Sequence, residues 1–193
     1  MRLSTLLGGS FSALAFAQTQ DAPVVSNNPH VKYEATLPQN AFFQGNLNGN
    51  VRGSVRAGSG PGGVGVEYQV QFTNFPTEGG PFIYHIHVLP VPADGNCTNT
   101  LAHLDPYGRG EDPACDSTNP QSCQVGDLSG KYGSITQGPF SATYTDPYSS
   151  LQEGTPAFMG NRSIVVHFAN KTRITCANFV KVPCDADENG GNM

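Results

Sequence analysis

The stretch Val66-Glu-Tyr-Gln-Val-Gln-Phe-Thr-Asn-Phe75 decides the fold class, because its residues alternate between apolar and polar from Val66 to Thr73. Successive side chains of a strand point to opposite faces, so the pattern predicts a strand with one buried and one exposed face. The segment Asn50-Val-Arg-Gly-Ser-Val-Arg56 alternates in the same way, and a glycine-rich loop at residues 57–63 joins the two. We therefore expect these two segments to pair as a β-hairpin.

Six further segments have the same strand character and are bounded by turn residues. They are residues 31–37, 81–89, 129–136, 140–145, 163–169 and 173–182. The 193-residue chain shows almost no helical periodicity, and it contains 23 glycines and 15 prolines, which suit tight turns. Together these features predict one all-β domain, an antiparallel sandwich or barrel of about eight strands.

The ends of the chain are expected to lie outside this domain. Residues 1–17 have the basic start, short apolar core and Ala-Phe-Ala ending of a secretory signal peptide, which would make Gln18 the mature N-terminus. Because glycines interrupt the apolar core, an ordinary N-terminal tail is the alternative. We assign residues 18–30 to an N-terminal segment, residues 31–182 to the domain and residues 183–193 to a flexible tail.

Glycosylation signals and cysteines indicate an oxidising, extracellular compartment. Three triplets fit the N-x-S/T signal, and they begin at Asn96, Asn161 and Asn170. Five cysteines stand at positions 97, 115, 123, 176 and 184 with no C-x-x-C pair among them, which favours disulfides over a metal cluster. One thiol is left over, and we expect Cys184, beyond the last strand, to be free or to join another chain.

The charge and hydropathy of the chain exclude two classes of partner. The net charge is −5 and the basic residues are scattered, so there is no basic surface for nucleic acid and no polybasic patch for anionic lipid. No segment after the signal approaches the roughly 20 apolar residues that cross a bilayer, so we expect no membrane insertion. The residues up to Met193 include no hydrophobic tail of the kind that signals a lipid anchor, and we expect a freely secreted or wall-associated protein.

Two histidines stand one residue apart in the apolar run Pro81-Phe-Ile-Tyr-His-Ile-His-Val-Leu-Pro90. Residues i and i+2 of a strand point to the same face about 6.6 Å apart, so His85 and His87 can bind one metal ion. Two solvent-facing histidines on a polar face are the alternative. His167 lies in a second apolar strand, and His103 lies in a long irregular section after this run.

The type of ligand selects the metal. An all-imidazole set, with no thiolate or carboxylate close by in sequence, suits copper, and zinc is the competitor. A copper ion with an open position would form a redox site rather than a structural one. The fifth histidine, His30, lies beside Pro29 in the N-terminal segment, and we expect it to be solvated.

Five motifs, in their order and spacing, resemble the copper, zinc superoxide dismutase family. They are His85-x-His87, Cys97 six residues before His103, Val125-Gly-Asp-Leu128, Val165-Val-His167 and Arg173-x-x-Cys176. The resemblance covers residues 31–182. It is greatest to the copper-only enzymes that fungi secrete or display, through Gly126-Asp-Leu-Ser-Gly-Lys131 and Tyr144-Thr-Asp-Pro-Tyr148.

The resemblance implies a Greek-key β-barrel that binds one copper ion. The copper ligands would be His85, His87, His103 and His167. Arg173 would guide the superoxide anion, and a disulfide between Cys97 and Cys176 would anchor the active-site loop. On reduction of the copper, His103 would be the ligand that lets go and carries a proton.

A zinc site of the family type is not expected, because no histidine follows His103 up to residue 127. Asp127 stands where the family has its zinc carboxylate, and we expect it close to the metal ligands on the His103 side. Gln124 stands where the copper-only branch has an acidic residue. Its amide can orient His103 by a hydrogen bond but cannot supply negative charge.

A disulfide between Cys115 and Cys123 is expected to stiffen the long loop in place of zinc. Closing this ring of about nine residues contributes about 2.6 kcal/mol, and the ring of about 80 residues closed by Cys97 and Cys176 contributes about 4.5 kcal/mol. Free thiols at Cys115 and Cys123 are the alternative.

These features predict an extracellular enzyme that converts superoxide into dioxygen and hydrogen peroxide. We expect a monomer, either free in the medium or associated with the cell wall. Two alternatives stay open. A copper-binding or storage module would keep the four histidines but would not need Arg173, and a non-catalytic cell-wall domain would use the barrel as a scaffold only. The presence of Arg173 beside the full histidine set favours the enzyme.

Overall fold

The computed structural model describes residues 20–45, 47 and 50–183. Its strands are β1 (Lys32–Thr36), β2 (Arg52–Ser59), β3 (Val66–Thr73), β4 (Ile83–His87), β5 (Phe140–Asp146), β6 (Ser163–His167), β7 (Arg173–Asn178) and β8 (Val180–Val182). A short helix, α1 (Leu128–Tyr132), precedes β5. No helix in this part of the chain is long and apolar enough to cross a bilayer. The expected signal peptide and Cys184 lie outside the described residues.

The strands form two antiparallel sheets. The larger sheet has the order β5-β3-β2-β1-β8, and the smaller has the order β4-β6-β7. Strands β2 and β3 pair along their full length, which confirms the predicted hairpin. The chain leaves the larger sheet after β3, forms β4 in the smaller one and returns as β5 beside β3, a crossing typical of Greek-key sandwiches. The prediction of an all-β antiparallel fold is confirmed.

The core lies between the two sheets. The apolar residues that alternate along β3 have no exposed surface: Val66, Tyr68, Val70 and Phe72. Tyr84 and Ile86 of β4 enter the same core, so His85 and His87 point to the opposite face of that strand. The long irregular section covers this second face, and both histidines are therefore buried as well.

The prediction of a strand at residues 129–136 is wrong, because the segment begins with α1. The Asp127 side chain accepts a hydrogen bond from the Gly130 N–H at 2.7 Å and caps the first turn. Gly133, with φ 104°, ends the helix. Only Ile135 keeps extended pairing, in an isolated bridge to Phe82.

The predicted strand at residues 173–182 is two strands that belong to different sheets. Strand β7 lies in the smaller sheet, β8 lies in the larger one, and Phe179 separates them. Phe179 is buried, and its N–H donates to the Arg162 carbonyl at 3.1 Å. The chain therefore crosses from one sheet to the other at an anchored residue.

Both expected disulfides are present. Cys97 and Cys176 join the long section to β7, with a Cα–Cα distance of 5.8 Å. Cys115 and Cys123 close a ring within the long section itself. The section that carries His103 is therefore covalently fixed at two places.

Candidate metal centre

Four histidines from three parts of the chain converge beside β4. One ring nitrogen of each lies within 4.8 Å of the other three, and the members are His85, His87, His103 and His167. His103 is half-buried, and the other three are buried. Within residues 20–45, 47 and 50–183, no second group of three or more His, Cys, Asp or Glu side chains is arranged to hold a metal ion. The structure thus brings together all four histidines that the sequence singled out.

Strand pairing positions three of these rings. His85 and His87 lie on one face of β4, and the neighbouring strand β6 ends at His167, opposite Ile83. His103 comes from the long section and forms an isolated antiparallel bridge with His87. The fourth ring therefore depends on how that section is attached to the sheet.

Backbone hydrogen bonds attach the segment around His103 to β4. The Leu104 N–H donates to the Ile86 carbonyl at 2.8 Å, and the Ile86 N–H donates to the Gly126 carbonyl at 2.9 Å. A Cβ at position 126 would lie 2.3 Å from the Ile86 oxygen, so only glycine permits this approach. Gly126 thereby keeps the residues on either side of it close to the cluster.

The Nδ1 atoms of His87 and His167 are hydrogen-bonded to backbone carbonyls. His87 Nδ1 donates to the Leu101 oxygen at 2.8 Å, and His167 Nδ1 donates to the Lys171 oxygen at 3.0 Å. Because a carbonyl only accepts, each Nδ1 must carry the ring proton, and each Nε2 keeps a bare lone pair. These two Nε2 atoms face each other at 3.2 Å.

The outer nitrogens of the other two rings face side chains. His103 Nδ1 carries the ring proton and donates a hydrogen bond to Gln124 Oε1 at 2.7 Å, so Nε2 again carries no proton. His85 Nε2 lies 3.4 Å from Asp127 Oδ1, and His85 Nδ1 is buried without a hydrogen-bond partner. Four unprotonated nitrogens are therefore available to one ion: His85 Nδ1 and Nε2 of the remaining three rings.

This donor set fits a metal ion that prefers imidazole. Burial, followed by the neighbouring imidazoles, lowers the pKa of His87 to about 2 and that of His167 to about 3. A proton therefore does not relieve the contact between the two facing Nε2 atoms, whereas a cation between them does. Four-nitrogen sets are typical of Cu(II), and zinc is the competitor.

Arg173 lines a cavity of about 510 Å³ that leads to the cluster. Its guanidinium donates to the Leu101 carbonyl at 2.5 Å and to the Thr98 carbonyl at 3.3 Å, which holds the group beside the cavity. Arg173 is half-buried, so its charge is only partly shielded by solvent. This position suits the expected guidance of an anion, and that role stays a prediction.

An ion pair also lines the same cavity. Lys171 Nζ donates to Glu111 Oε2 at 2.6 Å, and both residues line the cavity. The two residues belong to different segments, and no sequence pattern places them together. Phe42 and Phe43 also line the cavity, and their backbone N–H groups both donate to the Ile174 carbonyl at 3.0 Å.

Asp127 lies beside the histidine cluster and contacts His85. Its carboxylate lies 3.4 Å from His85 Nε2, and the centroid of the His85 ring lies 3.9 Å from that of His103, the ring on whose side Asp127 was expected. Burial by itself raises the pKa of Asp127, but hydrogen bonds from His85 and Gly130 and the charge of His85 outweigh this effect and lower it. The ionised carboxylate accepts from His85 Nε2 and so turns Nδ1 of that ring towards the cluster.

The predicted glycosylation positions differ in exposure. Asn161 and Asn170 are exposed. Asn96 is half-buried, and its side-chain oxygen accepts a hydrogen bond from the Thr98 N–H at 2.9 Å. Glycan attachment stays a prediction at all three. His30 is exposed and stands apart from the cluster, as expected.

Comparisons with known proteins agree with this geometry. No protein-family model matches the chain. A cell surface Cu-only superoxide dismutase of Arthroderma benhamiae is 40% identical over an alignment of 212 positions, gaps included, which covers 94% of this chain and 55% of that protein. The cell surface Cu-only superoxide dismutase 5 of Candida albicans is 34% identical over 94% of this chain and 74% of that protein.

A solved structure shows the same fold. The Cu(II) form of superoxide dismutase 5 from Candida albicans matches with a TM-score of 0.67 and 31% identity, over 86% of this chain and 100% of that one. The chain therefore belongs to the family of cell-surface copper-only superoxide dismutases. It spans about half the length, 55%, of the Arthroderma relative.

Proposed function

We propose that the chain is an extracellular enzyme that converts superoxide into dioxygen and hydrogen peroxide with one copper ion and no zinc. The observation that carries the proposal is the set of four unprotonated imidazole nitrogens, mutually within 4.8 Å, beside a cavity lined by Arg173. Relatives named as cell surface Cu-only superoxide dismutases favour copper over zinc and favour an association with the cell wall. That the protein acts as a monomer stays a prediction.

When bound, copper would supply the change of oxidation state that takes an electron from one superoxide ion and returns it to a second. The residues of the chain bind and orient the substrate. Arg173 lies in the cavity wall with His87 and His167, where its charge attracts a small anion and holds it next to the cluster. A local cation is needed because the net charge of −5 repels anions from the chain as a whole.

His103 is the ring suited to hold a proton during the cycle. It is the least buried of the four histidines and lines the cavity that the substrate enters. Gln124 Oε1 accepts a hydrogen bond from Nδ1–H, so Nε2 is the atom that would bind the metal or hold a proton. A proton held there faces the cavity and can pass to a bound anion.

A copper-storage module is the second candidate, since it would use the same four histidines. Such a module has no need of a cation aimed into the cavity. The two carbonyls that fix Arg173 there favour the enzyme.

Metal analysis followed by a superoxide assay tests the proposal. Protein purified with copper and zinc both offered should hold one copper ion per chain, and the copper-loaded protein should consume superoxide rapidly. His85→Ala should lose the copper, whereas His30→Ala, at an exposed position outside the cluster, should keep it. Copper without turnover would favour storage, and a chain that takes zinc or no metal would overturn the proposal.

A further inference from the structure

Asp105 lies behind the ligand cluster, at a position that no sequence motif marked. Gln124 stands between it and His103. The Gln124 Oε1 atom accepts from His103 Nδ1 at 2.7 Å, and its Nε2 donates to Asp105 Oδ2 at 3.2 Å. Gln124 is only 8% exposed, so these bonds are largely shielded from water. One side chain thus connects a metal ligand to a carboxylate.

The amide of Gln124 has two orientations that differ by a half-turn, and they present opposite hydrogen-bonding groups to His103. A carboxylate only accepts, so Asp105 selects the orientation in which the amide nitrogen faces it. The amide oxygen then faces His103, and Nδ1 of that ring must be the donor. Nε2 is thereby left without a proton, as binding to a metal requires.

We propose that Asp105 is a positioning residue that sets the amide orientation of Gln124 and, through it, the tautomer of His103 that can bind the metal. The inference rests on the proposed copper site. In the copper-only branch that the sequence resembles, an acidic residue stands at the position of Gln124. Here the negative charge lies one side chain further from the ring.

Asp105 is itself held in place. Its Oδ1 accepts from the Arg109 N–H at 3.0 Å, and its Oδ2 accepts from the Gly110 N–H at 2.8 Å. The Arg109 side chain donates to the Ser122 carbonyl and, at 3.2 Å, to the Ala114 carbonyl, which ties this turn to the next part of the loop. Because both carboxylate oxygens are engaged, Asp105 offers Gln124 an acceptor in a fixed position.

Removal of the carboxylate tests the proposal. In Asp105→Leu, no group at position 105 accepts from the Gln124 amide nitrogen, so the amide is free to turn that nitrogen towards His103. The ring then accepts at Nδ1 and carries its proton on Nε2, where it blocks the metal. The double variant Asp105→Leu/Gln124→Glu places a carboxylate, which only accepts, next to His103, so it should recover the original tautomer.

Two measurements on the full chain report the result. Nitrogen NMR of histidine-labelled protein gives the tautomer of His103 without metal, and EPR with chelator competition gives the Cu(II) ligation and affinity. We expect Asp105→Leu to populate the second tautomer and to weaken copper binding about 10-fold. The double variant should restore both. Asp116→Leu removes another turn-capping carboxylate of the same loop, one that accepts from Thr118 and not from Gln124, and should leave both unchanged.

An unchanged tautomer in Asp105→Leu, or a double variant no better than the single one, would mean that Asp105 only caps its turn and would overturn the proposal. If Asp105→Leu does not fold, Gln124→Glu takes its place, because it sets two carboxylates in contact and should melt below Asp105→Asn/Gln124→Glu, which lacks the second carboxylate. Equal melting temperatures would also overturn the proposal. A parent chain that binds no copper would overturn the proposed function instead. The tautomer of His103, measured by NMR without metal, would still test the role of Asp105.

Discussion

His87 and Arg173 share one hydrogen-bond acceptor, the carbonyl oxygen of Leu101. The ring nitrogen lies 2.8 Å from this oxygen and the guanidinium nitrogen 2.5 Å. One peptide group therefore aligns a proposed metal ligand with the proposed substrate-binding cation. Leu101 adopts φ 59° and ψ −134° at this point, a backbone conformation that is strongly disfavoured for residues other than glycine. Backbone strain and the alignment of the site thus meet at one residue.

Leu101→Gly should stabilise the protein. Strained backbone of this kind costs about 1–3 kcal/mol, and glycine relieves it at an entropic cost of about 0.5–1 kcal/mol. The side chain is 54% exposed, so its removal loses little packing. We expect the free energy of unfolding in urea to rise by about 1 kcal/mol. The same change at Leu89, which is also exposed but has no positive φ, should lower it. Equal losses at the two positions would contradict the strain argument.

Arg173→Ala should keep the copper and slow the capture of superoxide. A focused charge at a cavity mouth raises association rates, and we expect its loss to cost about 10- to 100-fold in the second-order rate constant. Pulse radiolysis at rising ionic strength checks this, because the parent rate should fall more steeply with salt than that of the variant. Arg52→Ala makes the same change on an exposed position of β2 in the other sheet and should have little effect. A variant as fast as the parent would remove the guidance role.

Glu111→Gln should raise the proposed rate of superoxide consumption at low salt. Glu111 neutralises Lys171 at the cavity mouth, and both side chains are largely exposed, so the pair adds little to stability. Freeing Lys171 should raise the second-order rate constant about two- to threefold. The gain should vanish near 1 M salt, where the Debye length is about 3 Å. Lys171→Gln should slow the enzyme, and Glu153→Gln at another exposed position should do neither. A gain that persists at high salt would indicate a changed cavity rather than a changed charge.

The sheets were predictable because a strand that buries one face must alternate. Along β3 this pattern is complete, and every apolar member is fully buried. Helix α1 was not predictable in the same way, because its five residues are too few to show a helical period. Its signals are the cap from Asp127 and the terminating Gly133, but the family resemblance accounted for Asp127 as a neighbour of the metal ligands, and its capping role was not expected.

Two contacts around the histidine cluster, Gln124 with Asp105 and Lys171 with Glu111, lay beyond sequence reasoning. Gln124 and Asp105 are 19 residues apart, and Lys171 and Glu111 are 60 apart. Their proximity depends on the path of a long section without any period, which backbone bonds to β4 and two disulfides determine. The histidines were found from their strand positions together with the family resemblance, whereas neither source carries information about these pairs.

Lys131→Met should be strongly destabilising. Lys131 of α1 forms an ion pair with Asp146 of β5, and neither side chain has any exposed surface. Removal of the cation leaves a buried carboxylate unpaired, which should lower the free energy of unfolding by about 3–5 kcal/mol. Asp146 cannot simply turn to solvent, because it also accepts from the Tyr148 and Ser149 N–H groups at 2.7 and 3.1 Å. Urea denaturation measures the loss, and Lys181→Met at an exposed position of β8 is the matched control.

The double variant Lys131→Met/Asp146→Asn separates the unpaired charge from the other bonds of Lys131. Its amide oxygen still accepts from the backbone N–H groups but carries no charge, so most of the lost stability should return. Lys131 Nζ also donates to the Val125 carbonyl at 2.9 Å, next to Gln124 in the chain. If the double variant is no more stable than Lys131→Met alone, the cost lies in this lost bond. In that case both variants should bind copper more weakly than the parent, because loss of the bond to Val125 loosens the segment that orients His103.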